Sequence, residues 1–169
     1  SCAEVGFDEI NYDYMRFPTD GVANIDWGPE SADKTKTEAI TDGIRYLCET
    51  LRMHDVYVSA DVYGIVISSK LDAAAVGQDY KEMSRYLDYI CPMVYPSHYS
   101  SGYGGLKYPD TKPFQLILME MKSSVLKSYF YGIWNIVSVT SGNGFSDRGS
   151  VAFGINRKGS VNEYRHTVS

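Results

Sequence analysis

The chain has 169 residues, 44% hydrophobic and 22% charged, which is enough for one domain with a real core and ordinary for a folded globular protein. A net charge of −5 with no basic stripe argues against a nucleic-acid binder, and no run of about 18 apolar residues reads as a membrane span. The excess is aromatic: 14%, including 15 Tyr, a side chain whose flat apolar face and hydroxyl suit sugar rings as well as protein interfaces.

Residues 1–5 read as the tail of a helix that begins upstream. The stretch Gly6 to Pro18, GFDEINYDYMRFP, reads as a strand running into a loop. Alternation puts Ile10, Tyr12 and Tyr14 on one face and Glu9, Asn11 and Asp13 on the other. Three polar groups beside Phe7, Ile10 and two tyrosines point to a buried strand that gathers polar groups at a site. An amphipathic edge strand with a salt bridge accounts for the same pattern. Pro18 ends the strand because it lacks a ladder donor.

A Gly-, Pro-, Asp- and Asn-rich loop, Thr19 to Lys34, follows, with Trp27 placed to cover a ligand or pack on a rim. Thr35 and Glu38 form a capping-box pattern ahead of Ile40, Ile44, Leu47 and Leu51, which predicts an amphipathic helix over 36–54. Val56 to Val62 is a second strand, with Tyr57, Ser59 and Asp61 on its polar face. Residues 63–76 read as a loop with a short helix near Leu71–Ala75. Asp79 and Glu82 repeat the capping pattern for a helix over 79–87. Tyr89 to Tyr95 is a third strand, followed by the loop PSHYSSGYGG. Pro113 opens a helix that runs to about Lys127, and Tyr129 to Val139 is a candidate fourth strand.

Alternating strands and helices with aspartates at strand C-termini indicate a parallel α/β sheet, whose ligands bind at those ends. Strands that are polar on one face favour a barrel lumen over a doubly wound sheet, and no Gly-rich phosphate loop follows any strand. Beyond Thr140 the helical period is lost, so 140–169 reads as an irregular or disordered tail, a loop or a weak hairpin. The domains are thus 1–139 and a tail, 140–169. Cys2, Cys48 and Cys91 lack metal-ligand spacing and read as free or core thiols. The three His are far apart, so no metal centre and no cofactor is expected.

The strings GFDEINYDYMRFP, VSADVYG, GQD and ICPMVYPSHY, in that order, resemble the "putative glycosyl hydrolase domain" family of bacterial envelope proteins over roughly residues 4–122. The resemblance implies a (β/α)₈ TIM barrel related to retaining glycosidases, an extracytoplasmic or cell-envelope location and a carbohydrate substrate. It makes Asp13 the strand-four aspartate, Arg16 the arginine that follows it and Asp61 the strand-five aspartate, with Tyr95, His98 and Tyr99 in the strand-six motif. The chain then corresponds to a partial barrel, about strands four to seven, because a complete one needs about 250 residues.

Glycoside hydrolysis needs two carboxyl groups flanking the scissile bond. Asp13 and Asp61 end neighbouring strands on the same face; strands lie about 4.8 Å apart, and retaining enzymes hold their carboxyls about 5–5.5 Å apart. Each could instead be a structural aspartate capping the loop that follows. Arg16 can hold Asp13 ionised, grip a sugar hydroxyl or form a plain surface ion pair. Tyr95 can touch sugar or pack in the core. His98 and Tyr99 lie in a strand-end loop, where binding groups collect. Asn11 faces the same side and joins Arg16, Tyr95, His98 and Tyr99 as a substrate-binding candidate. Glu9, deeper in the strand, reads as the partner of a buried cation. The function expected is a glycoside hydrolase acting on O-glycosidic bonds through two carboxylates. A non-catalytic glycan-binding barrel of the cell envelope and a plain interaction scaffold are the alternatives.

Overall fold

In a computed structural model, residues 2–20, 25–131, 136–138, 150–155 and 161–166 are described. Strands β1 (Glu9–Tyr12), β2 (Tyr57–Tyr63) and β3 (Tyr89–Met93) lie side by side and parallel. Register pairs Asn11 with Ser59, Tyr12 with Ala60, Asp61 with Cys91 and Tyr63 with Met93. Between the strands run α1 (Lys36–Leu51), α2 (Lys70–Val76) and α3 (Tyr80–Met83), and α4 (Pro113–Tyr131) follows β3. The protein is therefore a mixed α/β structure built on a parallel sheet, as its alternating pattern predicts. Strand β4 (Ile136–Ser138) adds to β3 in parallel through the pair Ile90–Ile136. Strands β5 (Ser150–Ile155) and β6 (Val161–His166) complete the order β1-β2-β3-β4-β5-β6.

The core lies on one face of the sheet. Val58, Ala60 and Val62 of β2 and Ile90 of β3 pack against Ile44 and Cys48 of α1, Val76 of α2, and Tyr80 and Met83 of α3. All the β2 members are at most 3% exposed. A second cluster joins Val94 and Tyr99, after β3, to Leu116 of α4. The caps are those the sequence signals: Thr35 accepts from the Glu38 amide at 3.2 Å while Glu38 accepts from the Thr35 amide at 2.8 Å.

Five expectations need correction. The first strand is shorter than Gly6 to Pro18, because Tyr14 turns into the left-handed region (φ 56°) and ends the ladder after Tyr12. Its polar face is also not buried: Glu9, Asn11 and Asp13 are exposed, because the helices pack on the opposite face of the sheet. The helix expected over 79–87 is only Tyr80–Met83. Asp79 caps it, accepting from the amides of Lys81 and Glu82, but Glu82 forms an ion pair with Arg85 rather than closing a capping box. Ser84 then bonds back to the carbonyls of Tyr80 and Lys81, which competes with the helical ladder. Helix α4 runs past Lys127 to Tyr131 and takes the first residues of the expected fourth strand, because no glycine or interior proline interrupts it before Gly132. In the tail, β5 pairs antiparallel with β6 from Ser150–His166 to Ile155–Val161, which agrees with the hairpin reading of this segment and not with the irregular one. The rest of 140–169 lies outside the described residues.

Candidate active site

Parity and register put Glu9 and Asn11 of β1, Ser59, Asp61 and Tyr63 of β2, and Cys91 and Met93 of β3 on the face opposite the core. Cross-strand hydrogen bonds organise it. The Ser59 hydroxyl donates to Glu9 Oε1 at 2.5 Å, and Asn11 Nδ2 donates to Asp61 Oδ1 at 3.2 Å. Glu9 therefore has a serine partner where a buried cation was expected. Burial pushes the Asp61 carboxyl above its ordinary range; the Asn11 bond opposes this, and the charges of Asp13 and Glu9 add to it.

Asp13 lies one residue beyond β1 and accepts from the Tyr14 amide at 2.7 Å. Among the described residues no ion pair joins it to Arg16. The Arg16 guanidinium stands instead over two aromatic faces, 5.1 Å from the Tyr14 centroid and 4.6 Å from that of Tyr63, and one of its nitrogens donates to the Phe17 carbonyl at 3.4 Å. The aromatic contacts continue. The His98 ring meets Tyr63 edge-on at 6.3 Å and Tyr95 at 5.2 Å. A cavity of about 200 Å³ is lined by Thr19, Tyr63, Gly64, Ile65, Asp72, Ala75, Val76, Met93 and His98. Trp27 packs edge-on against Phe17 at 4.8 Å.

Arg16, Tyr63, His98 and Tyr95 thus form one chain of contacts at or beyond the ends of β1, β2 and β3. Asn11 and Asp61 are bonded to each other on the polar face, with Asp61 two residues before Tyr63. Tyr99 is not part of this surface. It is 6% exposed and packed with Val94 and Leu116, edge-on to Tyr103, and its buried hydroxyl has no hydrogen-bond partner among the described residues.

Two buried polar residues were given no role on sequence grounds. Gln78, 1% exposed, accepts from the Tyr63 amide at 3.0 Å and donates to the carbonyls of Met15 (3.1 Å) and Asp61 (3.3 Å). It clasps the segment after β1 to the end of β2. Glu120 of α4, also 1% exposed, accepts from the Tyr103 hydroxyl at 2.7 Å and from Ser68, tying the loops after β2 and β3 to the helix. Burial raises the Glu120 carboxyl, and these partners oppose the shift. Polar residues scattered through loops and helices carry no periodic signal, so only the fold reveals such contacts.

Replacing Gln78 with Ala leaves one amide and two carbonyls without their partner. We expect a loss of about 2–4 kcal/mol of stability, read from urea unfolding midpoints. A change within about 0.5 kcal/mol, the range of an ordinary surface substitution, would show that the clasp contributes nothing.

The cysteines differ sharply. Cys91, 3% exposed beside Asp61, is pushed up to about 12 by burial and then by the charges of Asp61 and Glu9. Cys48 is raised to about 11, mainly by burial, and Cys2 is exposed. Native protein treated with iodoacetamide near pH 8 should therefore gain one adduct by mass spectrometry, on Cys2, and all three only after unfolding. Prompt native modification of Cys91 would contradict the burial assigned to it.

Among the described residues no group of three or more His, Cys, Asp and Glu is arranged to hold a metal ion, and no helix is long and apolar enough to cross a membrane. No curated protein matches the chain, and no solved structure matches it. One family profile does, described as "Putative glycosyl hydrolase domain", over residues 1–129. That match takes in every strand and loop of the site described above, and the chain belongs to this glycosyl hydrolase domain family.

Proposed function

We propose that β1, β2 and β3 are consecutive strands of a (β/α)₈ barrel, beginning near its fourth strand, and that their polar face hydrolyses O-glycosidic bonds of a carbohydrate by a two-carboxylate, retaining mechanism. The observation that carries this reading is the pair Asp13 and Asp61 at the C-terminal ends of adjacent parallel strands, in unlike surroundings. Asp13 follows β1 directly after the last register pair, Tyr12–Ala60, and Asp61 follows Ala60 on β2, so the two carboxyls belong to neighbouring positions, and the Asp13 charge acts on Asp61. Adjacent strands lie about 4.8 Å apart, near the roughly 5–5.5 Å that retaining enzymes keep between their carboxyls.

Asp13, exposed and bonded to the Tyr14 amide, is the nucleophile. Asp61, half-buried with its carboxyl raised, is the acid and then the base. Asn11 orients the Asp61 carboxyl through its bond to Oδ1. Tyr63, Tyr95 and His98 offer ring faces and edges for a sugar, and Tyr99 supports the loop that carries His98. Arg16, stacked on Tyr14 and Tyr63, serves binding rather than the ionisation of Asp13. A screen of chromogenic glycosides and glycan arrays with the full-length protein tests the reading. Hydrolysis that is lost in Asp13→Asn supports it. Glycan binding without any hydrolysis would replace it with a non-catalytic carbohydrate-binding barrel.

A further inference from the structure

We propose that the site takes an acidic carbohydrate, one carrying a uronic acid whose carboxylate is gripped by Arg16. The inference rests on the glycosidase reading and names its substrate class. Arg16 is half-buried and held between Tyr14 and Tyr63, at 5.1 and 4.6 Å from their ring centroids. Cation–π contact with the two rings leaves the hydrogen-bonding capacity of a guanidinium unspent, and its paired N–H donors match the two oxygens of a carboxylate. Its one hydrogen bond among the described residues is a long one, 3.4 Å to the Phe17 carbonyl, so most of its five donors are uncommitted.

The position is also built at a cost. Tyr14, two residues earlier, adopts φ 56°, unusual for a bulky side chain. Its carbonyl accepts from the Arg16 amide at 2.7 Å, and Gln78 holds the Met15 carbonyl between them. Backbone strain maintained by surrounding contacts marks positions where geometry matters.

Glu9 and Asp61 share the polar face and Asp13 lies one residue past β1, so the carboxyls oppose an anionic sugar and a cation at the binding end must offset them. Lys36, which also reaches this loop, donates to the Ala75 carbonyl at 2.9 Å and lies over the Phe17 ring. Arg16 shares Tyr63 with the adjoining cavity. The cavity's own carboxylate, Asp72, is exposed and so screened by solvent, whereas the guanidinium is half-buried.

The test is binding of α-linked galacturonate and β-linked glucuronate trisaccharides to the full-length protein, by calorimetry or saturation-transfer NMR. Their methyl esters and neutral trisaccharides of the same linkages serve as comparison. We expect at least one acid form to bind, its methyl ester to bind at least tenfold more weakly, and Arg16→Met to abolish the difference while Arg16→Lys keeps part of it. The ester comparison uses the unmutated protein, so it decides even where a variant folds poorly. Equal affinity for acid and ester, or binding of neutral sugars alone, overturns this inference and leaves the glycosidase reading intact. Neither binding nor hydrolysis of any carbohydrate, acidic or neutral, overturns both.

Discussion

Replacing Asp61 with Asn should slow hydrolysis of glycosides with poor leaving groups by about 10²–10⁴-fold, the usual contribution of a positioned general acid. Aryl glycosides with activated leaving groups depart without a proton and should lose far less at the glycosylation step. Burial holds the Asp61 carboxyl above the ordinary range, and the nearby Asp13 and Glu9 charges push the same way. The acid is therefore retained at pH values where an exposed aspartate is already ionised. The sign of the pH dependence follows. In the unmutated protein kcat/KM falls as pH rises through the Asp61 pKa, and this alkaline limb should be missing in Asp61→Asn. Folding shows the same linkage: the folded state binds the proton more tightly than the unfolded chain, so stability declines as pH rises from the ordinary aspartate pKa through the raised one. An Asp61→Asn variant that slowed all substrates equally would remove the acid/base assignment, because an altered structure does not sort substrates by leaving group.

The largest effect on stability is expected at Gly77. It closes α2 at φ +79°, and a Cβ there would fall 2.7 Å from the Lys36 carbonyl oxygen and 2.9 Å from both the Lys36 carbonyl carbon and Ile40 Cγ1. Two of these atoms are backbone in the first turn of α1, pinned by the Thr35 cap, so they cannot swing aside. A left-handed residue costs roughly 1–2 kcal/mol, and overpacking adds about 1–3 kcal/mol. Gly77→Ala should therefore lose about 2–5 kcal/mol. Gly105→Ala separates the two contributions, because Gly105 has φ +80° but nothing within 4 Å of its added Cβ, so only strain applies. Denaturant midpoints of the two variants measure the difference, and equal losses would show that α1 and α2 are not in the close contact described. Because Gln78 is the next residue, the Gly77 variant should also loosen the clasp on Met15 and Asp61.

Much of this architecture is legible in the sequence where one rule governs. Strand parity placed Glu9, Asn11 and Asp61 away from the core, because a side-chain period of two admits no alternative once Val58, Ala60 and Val62 are buried. Thr35 and Asp79 announced their helices through cap chemistry that is local to a few residues. The exposure of the β1 polar face was not legible, since alternation tells which residues share a face but not what covers it. Arg16 had an obvious carboxylate neighbour in Asp13, yet it stacks on Tyr63, which only β2 brings alongside. Tyr99 and His98 are adjacent in one loop, but one is buried against Leu116 while the other is exposed, a division set by packing on α4. Gln78 and Glu120 act across elements far apart in sequence, and β5 and β6 pair through backbone groups present in every residue.

The central claim is that Asp13 attacks the sugar. Its most direct test is to inactivate the full-length protein with a 2-deoxy-2-fluoroglycosyl fluoride matching a substrate found in the glycoside screen, then digest it and locate the adduct by mass spectrometry. A fluorine at C2 slows breakdown of the covalent intermediate, so the sugar stays on the residue that attacked. Stoichiometric labelling of the peptide carrying Asp13 is expected, and none in Asp13→Asn. A sugar found on another carboxylate, or steady turnover by Asp13→Asn at the rate of the unmutated protein, would contradict it.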